Sequence, residues 1–372
     1  MSNEKTDIYK QLQAHLEEMP IGMPPVKSGS GLRLLKTLFT PEEAEIAMFL
    51  RFGWHRDLEP LDVIYERAKE SGISLEKLEE SLDKMVKKGL IMYKRENNKK
   101  FYGNAALMVG MFEFQVNKLK PEFIEDFHQY FDEGWLPEAL KLKAAQLRTI
   151  PVEQSIQHDI TVSKFDDLER LIETTDGPYS VANCVCRQLK DMEGEPCKAT
   201  SRREICLQFG YAAEMYIEQG NGREITKEEA LEILRKSEEE GLVLEPDNSQ
   251  ELNFICSCCG CCCENLTRMK MFPNPGNFTV TNYYAKVDKD LCVGCGTCVD
   301  ICPMDAIELE DDISSISKKR CIGCGNCSAK CPQDAISLEK RERQFTPFPT
   351  MDDLFDKVLE RKKRLKSKKL KN

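Results

Sequence analysis

Towards its C-terminal end the chain reads Cys292-Val-Gly-Cys295-Gly-Thr-Cys298-Val-Asp-Ile-Cys302-Pro303. It then repeats itself as Cys321-Ile-Gly-Cys324-Gly-Asn-Cys327-Ser-Ala-Lys-Cys331-Pro332. Each run sets three cysteines two residues apart, adds a fourth three residues on, and closes with proline. Three thiols so spaced share one tight loop, and they can hold three corners of an iron–sulfur cube. Gly294, Gly296, Gly323 and Gly325 free the loop to take positive φ and to turn its N–H groups toward sulfur. A shift of 29 residues superposes Cys292 on Cys321, Asp305-Ala306-Ile307 on Asp334-Ala335-Ile336, and Leu309 on Leu338. The segment is an internal repeat.

Over residues 284 to 340 this pair of runs resembles the bacterial-type two-cluster (2[4Fe-4S]) ferredoxins. In that family the last cysteine of each run crosses to the other cluster. The resemblance therefore implies one [4Fe-4S] cluster on Cys292, Cys295, Cys298 and Cys331, and a second on Cys321, Cys324, Cys327 and Cys302. It also implies a pseudo-two-fold module of short strands and helices. A zinc module usually sets two CxxC pairs far apart, a pattern that is not seen here.

The remaining composition fits a chain built around metal–thiolate chemistry. Among 372 residues there are 18 cysteines, none before Cys184. That crowding favours thiolate ligands in a reducing compartment over a disulfide scaffold. The net charge of −10 argues against a general nucleic-acid binder. The first residues show no charged-then-apolar leader pattern, and no uncharged apolar run nears the roughly 20 residues of a membrane helix. A cytoplasmic protein is the expectation.

Upstream, Met19 to Pro25 and Lys27 to Gly31 suggest an extended arm over residues 1–39. Thr40-Pro-Glu-Glu43 is a capping box that opens a helix. Further helices are expected over 60–71 and from Ser74 to Gly89, followed by a strand pair with Asn97-Asn98 at its turn. This order over 40–112 resembles the winged helix of MarR-like regulators. Its third helix carries Glu76, Glu79, Glu80 and Asp83 against four lysines and offers no Arg, Asn or Gln to base edges. DNA is thus the less favoured partner, and a protein-docking role is preferred. Residues 113–250 suggest a mostly helical domain, in which Phe123, Phe127, Tyr130, Phe131 and Trp135 are core. In this domain Ser201-Arg-Arg-Glu204 reads as another capping box, placing Cys206 on a helix.

Ten further cysteines lie upstream of the repeat. Cys184, Cys186, Cys197 and Cys206 precede a knot over 251–280 that holds Cys256, Cys258, Cys259, Cys261, Cys262 and Cys263. Six thiols in eight residues cannot all serve one ion, so some serve different sites or remain free. A subset forms a candidate third iron–sulfur site, with Arg187, Arg202 and Arg203 offsetting its charge. A thiol/disulfide pair at Cys258 and Cys259 and a structural zinc site are the alternatives. The layout resembles multi-cluster iron–sulfur proteins of anaerobic bacteria and archaea.

An α+β multidomain chain follows, with a dicluster ferredoxin-like fold over 281–340 and an amphipathic helix with a basic tail over 341–372. That tail could meet a membrane surface or an acidic partner. No G-x-G-x-x-G or P-loop appears, so no private NAD, flavin or ATP site is expected. None of His15, His55, His128 and His158 sits in a catalytic setting. The leading expectation is an electron carrier that works with redox partner proteins, or an oxidoreductase subunit. A redox-responsive winged-helix regulator and a reductase using the Cys184–Cys263 thiols are the other readings.

Overall fold

The computed structural model describes residues 7–156 and 163–369. His158 and the last three residues of the basic tail lie outside the described residues. The chain divides into two units, one built from residues 1–144, 218–221 and 350–372, the other from 145–217 and 222–349.

In the first unit, helices α1 (Ile8–Leu16) and α2 (Ser30–Leu38) occupy the stretch expected to be an arm. Leu12, Leu16, Leu34 and Leu35 are buried, so burial of apolar stripes ordered a segment whose Pro and Gly content suggested a loop. Helix α3 (Pro41–Ala47) starts at the expected capping box: the Thr40 side chain accepts from Glu43 N–H, and the Glu43 carboxylate accepts from Thr40 N–H. Helices α4 (Leu61–Ala68) and α5 (Leu75–Lys88) follow, and Gly89 ends α5 in the left-handed conformation. Strands β1 (Glu59–Pro60), β2 (Ile91–Glu96) and β3 (Lys99–Asn104) form a sheet of order β1-β3-β2. Asn97 and Asn98, both at positive φ, make the hairpin turn.

Helices α6 (Pro121–Tyr130) and α7 (Leu136–Leu142) complete this part, with Phe112 and Phe127 stacked at 4.1 Å. The C-terminal helix, Met351–Lys369, also belongs to this unit. Its Met351, Leu354, Phe355 and Val358 are buried, and Phe355 meets Phe52 edge-on at 4.9 Å. The apolar side of that helix is therefore used within the chain. No helix among the described residues is long and apolar enough to cross a membrane.

The second unit corrects the expectation of a mostly helical middle. Strands β4 (Tyr179–Asn183), β5 (Glu204–Phe209), β6 (Gly222–Ile225), β7 (Val243–Pro246) and β8 (Phe254–Cys258) form a five-stranded antiparallel sheet of order β6-β4-β5-β8-β7. Cys206 lies on β5, not on a helix. The run Ile205-Cys-Leu-Gln-Phe209 is β-branched and aromatic enough to pair, and strands on both sides satisfy its backbone. Helix α8 (Leu168–Glu173) begins behind Asp167, whose side chain accepts from Arg170 N–H. Helices α9 (Val185–Met192), α10 (Gly210–Glu218) and α11 (Lys227–Glu239) connect the strands. The core joins Val181, Leu207, Phe209, Leu234, Leu244 and Ile255.

Helix α12 (Glu264–Lys270) leads to the repeat. There β9 (Tyr283–Val287) pairs with β12 (Ile336–Lys340), and β10 (Ile307–Glu310) pairs with β11 (Ile313–Ile316). Each ribbon joins one strand from each half, as a pseudo-two-fold requires. Short helices α13 (Thr297–Ile301) and α14 (Asn326–Ala329) carry the third cysteine of each run.

Candidate metal centres

The repeat creates two cysteine-lined cavities. One, with about 350 Å³ of atom-free space including its mouth, is lined by Cys302, Cys321, Cys324 and Cys327. The other, about 310 Å³ on the same measure, is lined by Cys292, Cys295, Cys298 and Cys331. In each, three thiols come from one run and the fourth from the other. Apolar residues such as Ala285, Ile307 and Ile316 close the first; Val293, Ala335 and Ile336 border the second.

Backbone geometry explains the crossing. Gly294 and Gly323 sit at φ +67° and +70°, where a Cβ would strike the carbonyl oxygens of Asp312 and Tyr283 at 2.2 and 2.4 Å. The loops can therefore lie against the strands of the opposite half. Once there, Ala285 N–H donates to Cys321 Sγ (3.4 Å) and Ser314 N–H donates to Cys292 Sγ (3.4 Å). Ala306 N–H reaches Cys302 Sγ and Ala335 N–H reaches Cys331 Sγ, each at 3.3 Å. These four bonds are two symmetry-related pairs under the 29-residue shift. N–H groups aimed at sulfur stabilise thiolate charge and tune any metal the sulfurs hold.

The two cavities differ in exposure. Cys295 is exposed and its neighbours Leu291 and Val293 face solvent, whereas Cys321, Cys324 and Cys327 are buried. Hydrogen bonds from Thr297 pull the Cys295 thiol below its ordinary range. Burial pushes Cys302, Cys324 and Cys327 up. Thiols buried in this way ionise when a cation takes their protons' place. The donor set fits iron–sulfur ligation.

The other ten cysteines fall into two groups. Cys197, Cys259, Cys261 and Cys262 place their sulfurs within 4.8 Å of one another. Cys184, Cys186, Cys263, Cys258, Cys256 and Cys206 form a continuous chain of sulfur neighbours. Cys206 is on β5 and Cys256 and Cys258 share one face of the adjacent β8, because strand side chains repeat every two residues. Cys184 stands just before α9 without a side-chain cap bond and Cys186 lies in its first turn, while Cys263 Sγ accepts from Leu266 N–H and caps α12. Sequence neighbours thus part company: Cys258 and Cys259 go to different groups, and so do Cys262 and Cys263. Cys261 and Cys262 stay together, with sulfurs 3.6 Å apart.

Of the three arginines expected to offset this charge, one does so directly. Arg187 donates from Nε to Cys197 Sγ at 3.4 Å. Arg202 pairs with Glu240 and Arg203 with Asp191. Sequence reasoning missed Glu245, which is buried and brings a carboxylate oxygen within 4.8 Å of Cys258 Sγ and Cys263 Sγ. An acid directly after the apolar run Leu242 to Leu244, within the strand β7, was the available signal. Burial, then the nearby Cys263, pushes its carboxyl well above the ordinary range.

Comparison with known proteins agrees with the geometry of the repeat. Residues 284–332 match the family described as the 4Fe-4S dicluster domain. A probable ferredoxin of Methanosarcina thermophila is 68% identical over 28 residues, 8% of this chain and 48% of that protein. Ferredoxin-2 of Desulfomicrobium norvegicum is 52% identical over 29 residues, 8% of this chain and 49% of that protein. A ferredoxin of Thermococcus litoralis is 62% identical over 26 residues, 7% and 42% respectively. The chain spans about half the length of the curated relatives it matches, or somewhat less. No solved structure matches it significantly. The C-terminal segment is a 4Fe-4S dicluster domain, and the chemistry that such a ferredoxin-like domain implies is electron transfer.

Proposed function

We propose that the chain is a one-electron relay between a low-potential donor and a redox partner enzyme. One [4Fe-4S] cluster would be held by Cys292, Cys295, Cys298 and Cys331, and a second by Cys302, Cys321, Cys324 and Cys327. The observation that carries this is the pair of cavities, each lined by one of those crossed cysteine sets. A cluster of this kind supplies single-electron transfer with little change in shape.

The protein supplies the rest. The exposed rim at Leu291, Val293 and Cys295 offers the short approach that a redox partner needs. The buried set keeps water from its sulfurs, and Ala285 and Ala306 N–H groups stabilise them instead. The knot lies directly against this buried site, since Gly260 touches Pro303 beside Cys302. A further metal centre among the ten upstream cysteines would extend the relay. Its candidate cluster ligands are drawn from Cys184, Cys186, Cys206, Cys256, Cys258 and Cys263.

A DNA-binding reading of the first unit finds little support in its charges. On α5 and the hairpin, Lys84 pairs with Glu80, Lys88 with Glu43, Lys94 with Glu96, and Lys100 with Glu79 and Asp83. Cations already paired with carboxylates release few counterions from a phosphate backbone.

The test is a potentiometric EPR titration of anaerobically purified full-length protein. Two one-electron couples should appear, with Cys295→Ser and Cys324→Ser each perturbing a different one. Absence of a reducible cluster that depends on these cysteines would reject the relay.

A further inference from the structure

We propose that Cys197, Cys259, Cys261 and Cys262 form a tetrathiolate centre for one metal ion, zinc or iron, distinct from any iron–sulfur cube. The proposal rests on reading the upstream cysteines as metal ligands, and it specifies what four of them bind.

Distance decides between the two kinds of site. Four sulfurs each about 2.3 Å from one ion, in a tetrahedron, stand about 3.8 Å from one another. Here Cys197 Sγ lies 3.7 Å from Cys259 Sγ and 3.9 Å from Cys261 Sγ. Cys261 Sγ lies 3.5 Å from Cys259 Sγ and 3.6 Å from Cys262 Sγ. The sulfurs around a four-iron cube each sit outside a different iron, so they are spread more widely. These spacings also far exceed an S–S bond of about 2.05 Å, so the group is not a pair of disulfides.

Charge gives an independent argument. Arg187 is 1% exposed, and no carboxylate forms a salt bridge with it among the described residues. Its Nε points at Cys197 Sγ, one terminal nitrogen donates to Ser257 O at 3.0 Å, and the other has no partner. The carboxylates nearest to it, Asp191 and Glu240, are bonded to Arg203 and Arg202 instead, and a buried guanidinium without a directly bonded anion is costly. Neutral thiols do not supply that anion. Four thiolates on a divalent ion carry two net negative charges and do, with Arg187 acting as the outer hydrogen-bond donor that fixes Cys197.

Two segments of the chain supply the site. Cys259, Cys261 and Cys262 lie on the turn between β8 and α12, and Cys197 comes from the loop after α9. A closed set of four soft ligands suits zinc or iron and leaves no open position for substrate.

The experiment compares metal and acid-labile sulfide in anaerobic wild-type protein and Cys262→Ser. Cubes contain iron and inorganic sulfide in equal numbers, whereas a tetrathiolate ion brings no sulfide. Wild type should carry one metal ion more than its sulfide count, and the variant should lose that one ion with sulfide unchanged. Loss of iron and sulfide together would overturn the proposal, and so would loss of neither. If Cys262→Ser fails to fold, X-ray absorption of the wild type decides. Four sulfurs at about 2.3 Å around an ion with no metal neighbour supports the site, and a metal neighbour for every ion overturns it. Dicluster EPR signals that persist in the variant separate this outcome from failure of the relay.

Discussion

Gly260 and Pro303 are in contact so close that only a hydrogen atom fits between them. A Cβ on Gly260 would stand 2.5 Å from the Pro303 carbonyl oxygen and 3.0 Å from its Cα. The knot of cysteines therefore rests on the turn that carries Cys302.

Gly260→Ala should separate these two surfaces. The obstructing atoms are backbone, so the knot or the Cys302 turn must move, at a cost of about 1–3 kcal/mol. The expected outcome is a lower temperature for loss of visible cluster absorbance, with the couple that depends on Cys324 affected first. An unchanged bleaching temperature would show that the contact yields freely.

Ser314 offers a test of tuning. Its hydroxyl lies 3.1 Å from Cys298 Sγ, and the position related to it by the repeat is Ala285, which has no hydroxyl. A hydrogen bond to sulfur favours the more negative, reduced state. Ser314→Ala should lower the potential of the exposed couple by about 20–60 mV, from a bond of about 0.5–1.5 kcal/mol and about 59 mV per tenfold for one electron. The buried couple should not move. Equal shifts in both would refute the assignment.

Glu238 makes stability depend on pH. Burial pushes its carboxyl up to about 7 from 4.5, although Glu153 N–H bonds it at 2.8 Å. The folded state therefore holds a proton that the unfolded chain releases between these values. Its contribution to stability is complete below about 4.5 and is lost as pH rises to about 7, by roughly 3 kcal/mol. Glu238→Gln keeps the bond from Glu153 and removes the ionisation. Thermal unfolding between pH 6 and 8.5 should be flatter in the variant, which should be the more stable of the two at pH 8.

Phe355 anchors the C-terminal helix. It is 2% exposed and lies against Phe52 and Trp54, at 4.9 and 6.1 Å between centroids. Phe355→Ala should cost the first unit about 3–5 kcal/mol. The change should appear in the fluorescence of Trp54 while cluster potentials stay constant. Full stability would mean that this helix contributes little to its unit.

The dicluster segment was legible because its ligands repeat at fixed short spacing, and because the glycines that allow the loops lie between them. Cap residues such as Thr40 and Ser74 were legible for the same local reason. Local grammar failed at Ser201 to Glu204, where a capping box precedes a strand: pairing with β4 and β8 outweighed the cap. It failed again over residues 8–38, where burial ordered what looked like an arm.

By itself, the sequence determined that eight cysteines belong to a paired repeat and that ten more form a dense thiol field. Covalent spacing alone carries that information. Only the tertiary structure decided how the ten divide, since Cys197 meets Cys259 across 62 residues and Cys206 meets Cys256 across neighbouring strands. It also decided that Arg187 faces the sulfurs and that Glu245 joins them. Side-chain direction at such sites depends on sheet order and on helix starts far away in the chain, which no local pattern encodes. The two cavities of the repeat are the case in between: local spacing shapes each loop, and strand pairing across the pseudo-two-fold brings the fourth sulfur.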